Sequence, residues 1–277
     1  MKFSLVMATM GRERELHAFI TSLGAQGAVD LELIVVDQNS DERVSRVLAR
    51  APGAVSVKHL RCPPGLSRAR NRGMRASTGE IVAFPDDDCE YPAGLLTRVR
   101  QYFLDHVDCD GLAVRVASRD GKPIGRLLPH AGEVTPRSVW RQATAAGLFF
   151  RRTVISAVGD FDESLGLGSG TPWGAAEDID YPLRALELGC RLRYEPSEVV
   201  WHPDVRLVRQ KNLVRRGFSY GAGWGRVRRK HGTPLWVVAY NLVRPAIGVM
   251  LSLFSCDLRT ARFRVAVVAG RLRGWLA

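Results

Sequence analysis

The sequence contains few cysteines, and their positions fit no common structural pattern. Five cysteines are scattered over 277 residues without a CxxC spacing. An odd, irregular set argues against a disulfide framework or a zinc site and indicates a reducing compartment. The apolar stretch that opens the chain, FSLVMAT, is too short for a signal-peptide core. We therefore expect the protein to remain in the cytoplasm.

Other recognisable patterns are also missing. The sequence has no internal repeat and no low-complexity segment, and no GxGxxG follows the first apolar run. The last absence argues against a dinucleotide-dependent dehydrogenase. A length of 277 residues suits one large domain, or one domain with an appendage.

Acidic residues are almost absent from the last quarter of the chain. Residues 205–277 contain 15 Lys or Arg and one acidic residue, Asp257, which gives a net charge of +14, whereas residues 1–204 carry a net charge of −2. Such an asymmetry indicates a polyanionic partner. Apolar stretches separate the basic clusters, and a nucleic-acid-binding arm has no use for them. We therefore expect an anionic membrane surface as the partner, and no nucleic acid.

One apolar stretch in this tail, residues 235–254, is long enough to span a membrane. Arg244 and Pro245 interrupt it midway. An arginine is costly in hydrocarbon, and we expect the proline to break the helix. The sequence thus predicts interfacial helices that attach the protein peripherally to the inner face of the cell membrane.

Strand and helix patterns alternate over the first hundred residues. This alternation predicts an α/β fold built on a mostly parallel sheet. Residues 111–203 are less regular, although strands at 146–150 and 193–194 and a helix at 177–188 are expected. The predicted strands of the first part lie at 3–8, 31–36, 55–60 and 81–84, and its predicted helices at 15–24, 42–49 and 66–76.

Three consecutive aspartates, Asp86, Asp87 and Asp88, follow the apolar run at 81–84. Carboxylates packed this closely repel one another, and their burial without a partner is costly, so a cation or water must offset them. A divalent metal bound through oxygen would do so, and it would in turn recruit phosphates. Open α/β sheets place their ligands at strand ends of this kind. A solvated acidic turn is the alternative interpretation.

Further polar residues suit a ligand site, although each also has a simpler explanation. Asp37 ends a buried strand, where an aspartate is more often a turn or cap. The segment GLSRARNRG, residues 65–73, suits phosphate at a helix start or forms a solvated basic face. Glu177 and Asp178 open a predicted helix and could simply cap it. His202 is either structural or a metal ligand.

Taken in order, these segments resemble the family 2 glycosyltransferases, which have the GT-A fold. The resemblance covers roughly residues 3–202. Asp86 and Asp88 match the DxD motif of that family, and Glu177 with Asp178 matches its ED motif. The segments that carry the resemblance are SLVMATMGR, the later Gln26, LELIVVDQNSD, GLSRARNRG, STGEIVAFPDDDCEYP, VGDFDESLG, WGAAEDIDYPLRALELG and VVWHP.

The chain departs from the family pattern at a few positions. Residues 174–176 read Gly-Ala-Ala, where relatives often have Gly-Gly before the ED pair. Arg12 stands where relatives often carry Asn, and Gln38 replaces a more usual acidic residue.

The resemblance implies a GT-A domain at 1–204, with the nucleotide bound by its N-terminal half. The charge and apolar pattern of the last quarter adds a basic helical tail at 205–277. It also implies transfer of a sugar, with inversion, from a nucleoside-diphosphate sugar, which we expect to be UDP-linked. The acceptor would be a hydroxyl of a saccharide or of a polyprenyl-linked molecule in surface-polysaccharide assembly.

The resemblance also assigns roles to individual residues. Asp178 would be the general base. A Mg²⁺ or Mn²⁺ cofactor would be held by Asp88, Asp86 and His202. The acceptor would be bound by Trp173, Gly174 and Glu177, with Trp173 on a mobile glycine-rich loop. The nucleotide-sugar would be bound by Thr9, Arg12, Asp37, Asn39, Arg70, Asn71, Asp86 and Asp87.

Two other functions fit parts of the pattern. A non-catalytic relative could bind a nucleotide-sugar or act as a membrane scaffold, although the intact DxD and ED pairs weigh against it. A metal-dependent nucleotidyltransferase would share carboxylates at a sheet edge, but it would release pyrophosphate instead of a nucleoside diphosphate.

Overall fold

The computed structural model describes residues 1–50, 55–124, 127–203 and 212–277. Their contacts divide the chain into two compact units. The first comprises Met1–Pro64, Arg68–Phe161 and the described residues from Tyr181 to Pro203. The second comprises Gly65–Ser67, Asp162–Asp180 and the described residues from Asn212 to Ala277. The domain boundary predicted at 204/205 lies outside the described residues and stays a prediction.

The first unit is built on a mixed sheet, whose described strands follow the order β3-β2-β1-β4-β7-β5-β8-β6. Strands β1 to β4 run parallel, β7 is antiparallel to both β4 and β5, and β8 is parallel to β5. This confirms the predicted α/β fold with a mostly parallel sheet. The strands are β1 (Phe3–Thr9), β2 (Leu31–Asp37), β3 (Ser56–Arg61), β4 (Ile81–Ala83), β5 (Gly111–Ala117), β6 (Gly132–Glu133), β7 (Leu148–Arg151) and β8 (Leu192–Trp201).

Several helices bury a stripe of apolar residues. In α1, the residues Leu16, Phe19, Ile20 and Leu23 recur at helical spacing and are all buried. The helices predicted near 15–24, 42–49, 66–76 and 177–188 are present within two residues of their expected ends. The helices up to the ED segment are α1 (Arg14–Leu23), α2 (Arg43–Leu48), α3 (Leu66–Ala76), α4 (Leu95–Asp105), α5 (Arg152–Val158) and α6 (Glu177–Glu187).

The strand register brings several polar side chains to one edge of the sheet. Thr9, the last residue of β1, pairs with Asp37, the last residue of β2. Asp37 in turn pairs with Arg61 at the end of β3. β4 ends at Ala83, just before the aspartate run. Because the four strands are parallel, their carboxyl ends meet at this edge, where α/β sheets bind ligands.

The opposite end of the sheet holds a buried carboxylate, Glu32. Its oxygens accept hydrogen bonds from Ser4 Oγ at 2.6 Å and from the Thr78 backbone N–H at 2.6 Å, and they pair with Lys58 Nζ at 2.7 Å. Burial alone would raise the pKa of Glu32, but these hydrogen bonds outweigh it and lower the pKa to about 2. Glu32 is therefore ionised and stabilising at neutral pH.

The second unit contains α7 (Leu213–Lys230), α8 (Leu235–Phe254) and α9 (Leu258–Leu276). Helices α7 and α9 pack through glycines. A Cβ on Gly221 would lie 2.4 Å from the carbonyl oxygen of Val267, and a Cβ on Gly274 would lie 2.0 Å from that of Ala222. Any larger residue at these positions would force the two helices apart. Helices α7 and α9 of the described part of the tail are thus closely packed.

Helix α8 runs without a break from Leu235 to Phe254, so the expectation that Pro245 would end it is wrong. Pro245 has no N–H to donate to the carbonyl of Asn241, four residues earlier. The side chain of Arg271 in α9 donates to that carbonyl instead. The backbone group released by the proline is therefore satisfied from outside the helix, and the helix continues.

The apolar side chains of α8 are largely exposed. Trp236 is 69% exposed, Tyr240 is 73% exposed and Phe254 is 81% exposed. Among the described residues, α8 is the one helix long and apolar enough to cross a bilayer, by length and composition. A helix with this much exposed apolar surface is unusual in a domain surrounded only by water.

Candidate functional site

The predicted site residues divide between the two units. In the first unit, the central aspartate of the run is buried. Asp87 accepts a hydrogen bond from Thr9 Oγ1 at 2.7 Å and is paired with the guanidinium of Arg12. Arg12 also pairs with Asp88, at 2.8 Å between Nη2 and Oδ2. The aspartate run is therefore an anchored element and not a solvated turn.

The pKa values of Asp87 and Arg12 are both raised. Burial raises the pKa of Asp87, although the charge of Arg12 and the hydrogen bond from Thr9 oppose the shift. For Arg12, burial alone would lower the pKa, but the charges of Asp87 and Asp88 outweigh it, so the pKa is raised. Arg12 thus stays charged and holds the aspartate run in place.

Asp86, Asp88 and His202 form a group of candidate metal ligands together with Cys89. Their ligand atoms all lie within 4.8 Å of one another. Nε2 of His202 lies 3.3 Å from Asp88 Oδ1 and 4.0 Å from Asp86 Oδ2. Nδ1 of His202 lies 2.8 Å from the carbonyl oxygen of Pro203, which can only accept a hydrogen bond. Nδ1 therefore carries a proton, and Nε2 faces the two carboxylates.

This set of donors fits a hard divalent cation. Two carboxylates and an imidazole nitrogen suit Mg²⁺ or Mn²⁺. The proton on Nδ1 of His202, donated to a backbone carbonyl, is the usual outer contact of a ligating histidine. Cys89 does not suit such an ion, because a thiol is a soft ligand, and burial raises its pKa well above the usual value.

Arg70 and Asn71 stand beside the DxD residues on α3. Arg70 is buried, and its Nη2 lies 3.3 Å from Asp86 Oδ1. Its guanidinium carbon lies 5.5 Å from the centre of the Phe161 ring. Asn71 exchanges two hydrogen bonds with the backbone of Phe161, at 3.0 and 2.7 Å. Both ends of the Asn71 amide are thus engaged, which favours a role in positioning the neighbouring Arg70.

Asp37 and Asn39 form a connected polar group at the ends of β1 and β2. Oδ1 of Asp37 accepts hydrogen bonds from the Asn39 backbone at 2.8 Å and from its side chain at 2.7 Å. Asn39 accepts one from the backbone N–H of Gly11 at 2.8 Å. Nε2 of His59 lies 3.1 Å from Asp37 Oδ2. His59 was not among the predicted site residues, although it lies two residues before Arg61 on β3 and so shares a face of the sheet with it.

In the second unit, Glu177 and Asp178 open helix α6, as predicted. The residue before them, Ala176, has a φ of 72°, in the left-handed region that costs a residue with a Cβ roughly 1–2 kcal/mol. Gly166 approaches from the preceding loop, and a Cβ there would lie 3.1 Å from the Glu177 carboxylate. The strained backbone at the start of α6 thus helps to set the direction of the Glu177 and Asp178 side chains.

The segment that carries Trp173 packs on the C-terminal helices. The backbone N–H of Gly174 donates to the carbonyl of Ser219 in α7 at 3.2 Å. A Cβ on Gly223 would lie 2.2 Å from the carbonyl oxygen of Ala175. The guanidinium carbon of Arg273 in α9 lies 5.8 Å from the centre of a Trp173 ring. The end of the predicted mobile loop thus contacts α7, and its mobility stays a prediction.

Other charged residues of the second unit were not predicted as part of a site. Asp180 is buried and pairs with Lys230 and His231, which lie at the C-terminal end of helix α7. Asp180 had a local signal, because it belongs to the same EDID segment as Asp178. Lys230 had no such signal in the sequence, because it lies about 50 residues further along the chain among other basic residues.

The fold and the aspartate run can be compared with known proteins. The family model for "Glycosyl transferase family 2" matches residues 4–156. This chain belongs to glycosyl transferase family 2. The matched part of this family member includes Asp37, Arg70 and the aspartate run, whereas the ED pair and the tail lie beyond it.

This family 2 member is similar in sequence to two bacterial glycosyltransferases. It is 29% identical over 287 residues to the pre-mycofactocin glycosyltransferase of Mycobacterium tuberculosis, an alignment that covers 97% of this chain and 56% of the relative. It is 31% identical over 107 residues to the GalNAc(5)-diNAcBac-PP-undecaprenol beta-1,3-glucosyltransferase of Campylobacter jejuni, which covers 36% of this chain and 34% of the relative. The chain thus spans little more than half the length of the M. tuberculosis protein.

A solved structure shares the fold. Residues 1–349 of S. aureus TarS, in complex with UDP-GlcNAc, align with a TM-score of 0.63 at 16% identity, covering 99% of this chain and 92% of that chain. The likeness supports the GT-A fold for this family 2 member.

Proposed function

We propose that this protein is an inverting glycosyltransferase that moves a sugar from a UDP-linked donor to a hydroxyl group of a saccharide or lipid-linked acceptor. The observation that carries the proposal is the position of Nε2 of His202, 3.3 Å from Asp88 and 4.0 Å from Asp86. A cation site at the carboxyl end of a parallel sheet suits a diphosphate. The UDP-GlcNAc complex of TarS supports a UDP-linked donor.

We infer that Asp86, Asp88 and His202 hold Mg²⁺ or Mn²⁺. When bound, such an ion supplies positive charge that stabilises the negative charge developing on the leaving UDP. The cationic Arg70, beside Asp86, adds to the same electrostatic field. Asp87 and Arg12 keep the aspartate run in the required geometry. Asp37 and Asn39 orient the nucleotide.

In the transfer itself, the acceptor oxygen forms a bond to the anomeric carbon as the bond from that carbon to the diphosphate oxygen breaks. Asp178 takes the proton of the acceptor hydroxyl, and the electron pair of the broken bond leaves with UDP. A single displacement of this kind inverts the anomeric carbon, and one base is sufficient. Trp173, Gly174 and Glu177 bind the acceptor.

We also propose that the tail attaches the protein peripherally to the inner face of the cell membrane. The exposed apolar face of α8 supports this, as do Arg259 and Arg262, which follow the exposed Phe254 and Leu258. Arg259 and Arg262 line a cavity of about 760 Å³ together with Arg215. Apolar insertion beside arginines is how interfacial helices bind anionic lipid.

Some basic residues of the tail serve the fold and not the membrane. Arg228 is buried against Trp224, with 4.5 Å between its guanidinium carbon and the ring centre. Burial and the nearby charge of Arg271 lower the pKa of Arg228 to about 10. Arg271 stacks on the same ring, also at 4.5 Å. The net charge of the tail therefore overstates the charge available to a lipid headgroup.

The proposed acceptor is lipid-linked and belongs to surface-polysaccharide assembly. The undecaprenol-diphosphate part of the name of the C. jejuni relative supports this class of acceptor. A membrane-bound enzyme and a polyprenyl acceptor would meet at the same surface.

Product analysis tests the proposal. The full chain is incubated with a panel of UDP-sugars, Mn²⁺ and polyprenyl-linked or free saccharides, and the released nucleotide is identified. Glycosyl transfer releases UDP. Release of pyrophosphate from a nucleoside triphosphate and a sugar phosphate would instead establish a nucleotidyltransferase. Binding of a UDP-sugar without any turnover would establish a non-catalytic binding protein.

A further inference from the structure

A buried ion-pair cluster in the second unit joins the segment of the ED pair to the end of helix α7. Asp180 is 1% exposed. Its Oδ1 lies 2.9 Å from Lys230 Nζ and 2.9 Å from His231 Nε2. A carboxylate buried this deeply requires compensation by partners of opposite charge or by hydrogen-bond donors. Lys230 and His231 provide it.

Lys230 also reaches a second carboxylate. Its Nζ lies 2.9 Å from Asp162 Oδ2. The other oxygen of Asp162 accepts hydrogen bonds from the backbone and the hydroxyl of Ser164, at 3.0 and 2.6 Å. These hydrogen bonds and Lys230 together lower the pKa of Asp162 against the opposing effect of burial, so it is ionised at neutral pH. One ammonium group therefore bridges the start of the loop and the helix that follows it.

The position of Asp180 makes this bridge relevant to Asp178. Both residues belong to the first turn of α6. Two positions along a helix rotate a side chain by about 200°, so Asp178 lies on nearly the opposite side of the turn from Asp180. The turn begins at the strained Ala176, whose carbonyl accepts the backbone N–H of Asp180 at 2.9 Å. An anchor on Asp180 therefore sets the direction in which Asp178 points.

We propose that Lys230 is a positioning residue, which orients Asp178 for proton transfer by clamping Asp180 and Asp162. The inference rests on the proposed role of Asp178 as the base. It assigns a basic residue of the tail to the chemistry and not to the membrane. The physical argument is that general base catalysis depends steeply on geometry, and a small misplacement of the base lowers turnover without weakening substrate binding.

The test compares three variants of the full chain, with UDP release from the most active UDP-sugar as the assay. In Lys230→Met, kcat falls by about 10- to 100-fold, a typical loss for a misplaced catalytic group, while the KM for the donor and the Kd for UDP are unchanged. Lys230→Arg restores most of the turnover, because a guanidinium can pair with both carboxylates. Arg229→Met, the matched control, removes the adjacent charge and leaves kcat unchanged.

A second measurement shows where the structure changes. Hydrogen exchange of the backbone amides in residues 162–180 becomes faster in Lys230→Met, whereas exchange in β1 to β4 does not. Should Lys230→Met fail to fold, Lys230→Gln takes its place, since it removes the charge that bridges both carboxylates and keeps a polar side chain. A fall in kcat at constant donor KM supports the proposal there as well.

Several results would overturn the inference. These are wild-type kcat in Lys230→Met or its substitute, a loss of UDP affinity as large as the loss of kcat, or a Lys230→Arg variant no better than Lys230→Met. The proposed base is tested separately by Asp178→Asn. If Asp178→Asn is inactive and Lys230→Met is fully active, only the positioning role fails. If Asp178→Asn keeps its turnover, the assignment of the base fails instead.

Discussion

The guanidinium of Arg271 in α9 donates to the backbone carbonyl of Asn241 in α8, with 2.5 Å between Nη1 and the oxygen. This carbonyl lies four residues before Pro245, which cannot donate to it. A partly buried carbonyl without a donor would destabilise the helix. Arg271 removes that penalty and allows α8 to run continuously from Leu235 to Phe254.

This relationship predicts coupling between Arg271 and Pro245. Arg271→Met leaves the Asn241 carbonyl unsatisfied and should lower the free energy of unfolding by about 1–3 kcal/mol. Pro245→Ala restores a backbone N–H to the helix, so the same Arg271→Met change should cost less in that background. Urea unfolding of the two single variants and the double variant measures the difference. Equal losses in both backgrounds would mean that Arg271 acts only through its stacking on Trp224.

The metal site predicts different effects for neighbouring aspartates. Asp88→Ala should abolish Mn²⁺-dependent binding of UDP and all transfer, because it removes a ligand that faces His202. Asp87→Asn should retain metal-dependent binding but lower the melting temperature, because Arg12 loses the charge of its buried partner. Titration calorimetry with UDP, with and without Mn²⁺, separates the two effects. Mild and equal effects at Asp86, Asp87 and Asp88 would contradict a metal site.

The proposed base predicts a loss of turnover without a loss of binding. Asp178→Asn keeps the shape of the side chain but cannot take a proton, so kcat should fall by about 10²–10⁴-fold. The Kd for the UDP-sugar should be nearly unchanged. Glu177→Gln is the matched control on the preceding residue and should be affected less. Wild-type turnover in Asp178→Asn would place the base elsewhere, with Glu177 as the next candidate.

Glu32 predicts a pH dependence of stability. Its pKa falls from 4.5 to about 2 on folding, so its contribution is present above pH 4.5 and is lost as the pH falls toward 2. Glu32→Gln should be less stable than the wild type by about 1–3 kcal/mol at pH 7. The gap should shrink as the pH falls through this window. Urea unfolding at a series of pH values tests this, and a gap of constant size would contradict the lowered pKa.

The tail predicts binding to anionic vesicles. The full chain should float with vesicles that contain acidic lipid and only weakly with neutral ones, and binding should weaken as salt rises because headgroup attraction is screened. The exposed apolar face of α8 should leave a salt-resistant remainder. Phe254→Ser should reduce that remainder, whereas Leu104→Ser, at an exposed leucine of α4, should not. A full-length protein that never floats would exclude the membrane as the partner.

Much of the first unit could be predicted from local pattern. The apolar runs at 3–8 and 31–36 and the helical spacing from Leu16 to Leu23 identify their elements because burial imposes a period on each. The aspartate run could be placed at a strand end for the same reason. The partners of Asp87 could not be predicted in the same way, since the ion pair with Arg12 joins residues that only the folded sheet brings together.

Less of the tail could be predicted from local pattern. Its charge and its apolar stretches were evident from composition, but composition does not reveal which arginines are buried. A local signal of close helix packing was present but was not used in the predictions. It consists of the GxxxG spacings of Gly217, Gly221 and Gly225, and of Gly270 and Gly274. The continuity of α8 through Pro245 had no local signal, because the compensating donor belongs to another helix.

The sequence by itself determined the fold class, the strand-end position of Asp86 to Asp88 and the helix-start position of Glu177 and Asp178. It could do so because periodicity and motif order are properties of neighbouring residues. Only the tertiary structure decided that Arg12 pairs with Asp87, that Lys230 bridges Asp162 and Asp180, and that Arg271 completes α8. Each of these contacts joins charged or polar groups far apart in the chain, and the burial that makes such a contact necessary arises only when the chain has folded.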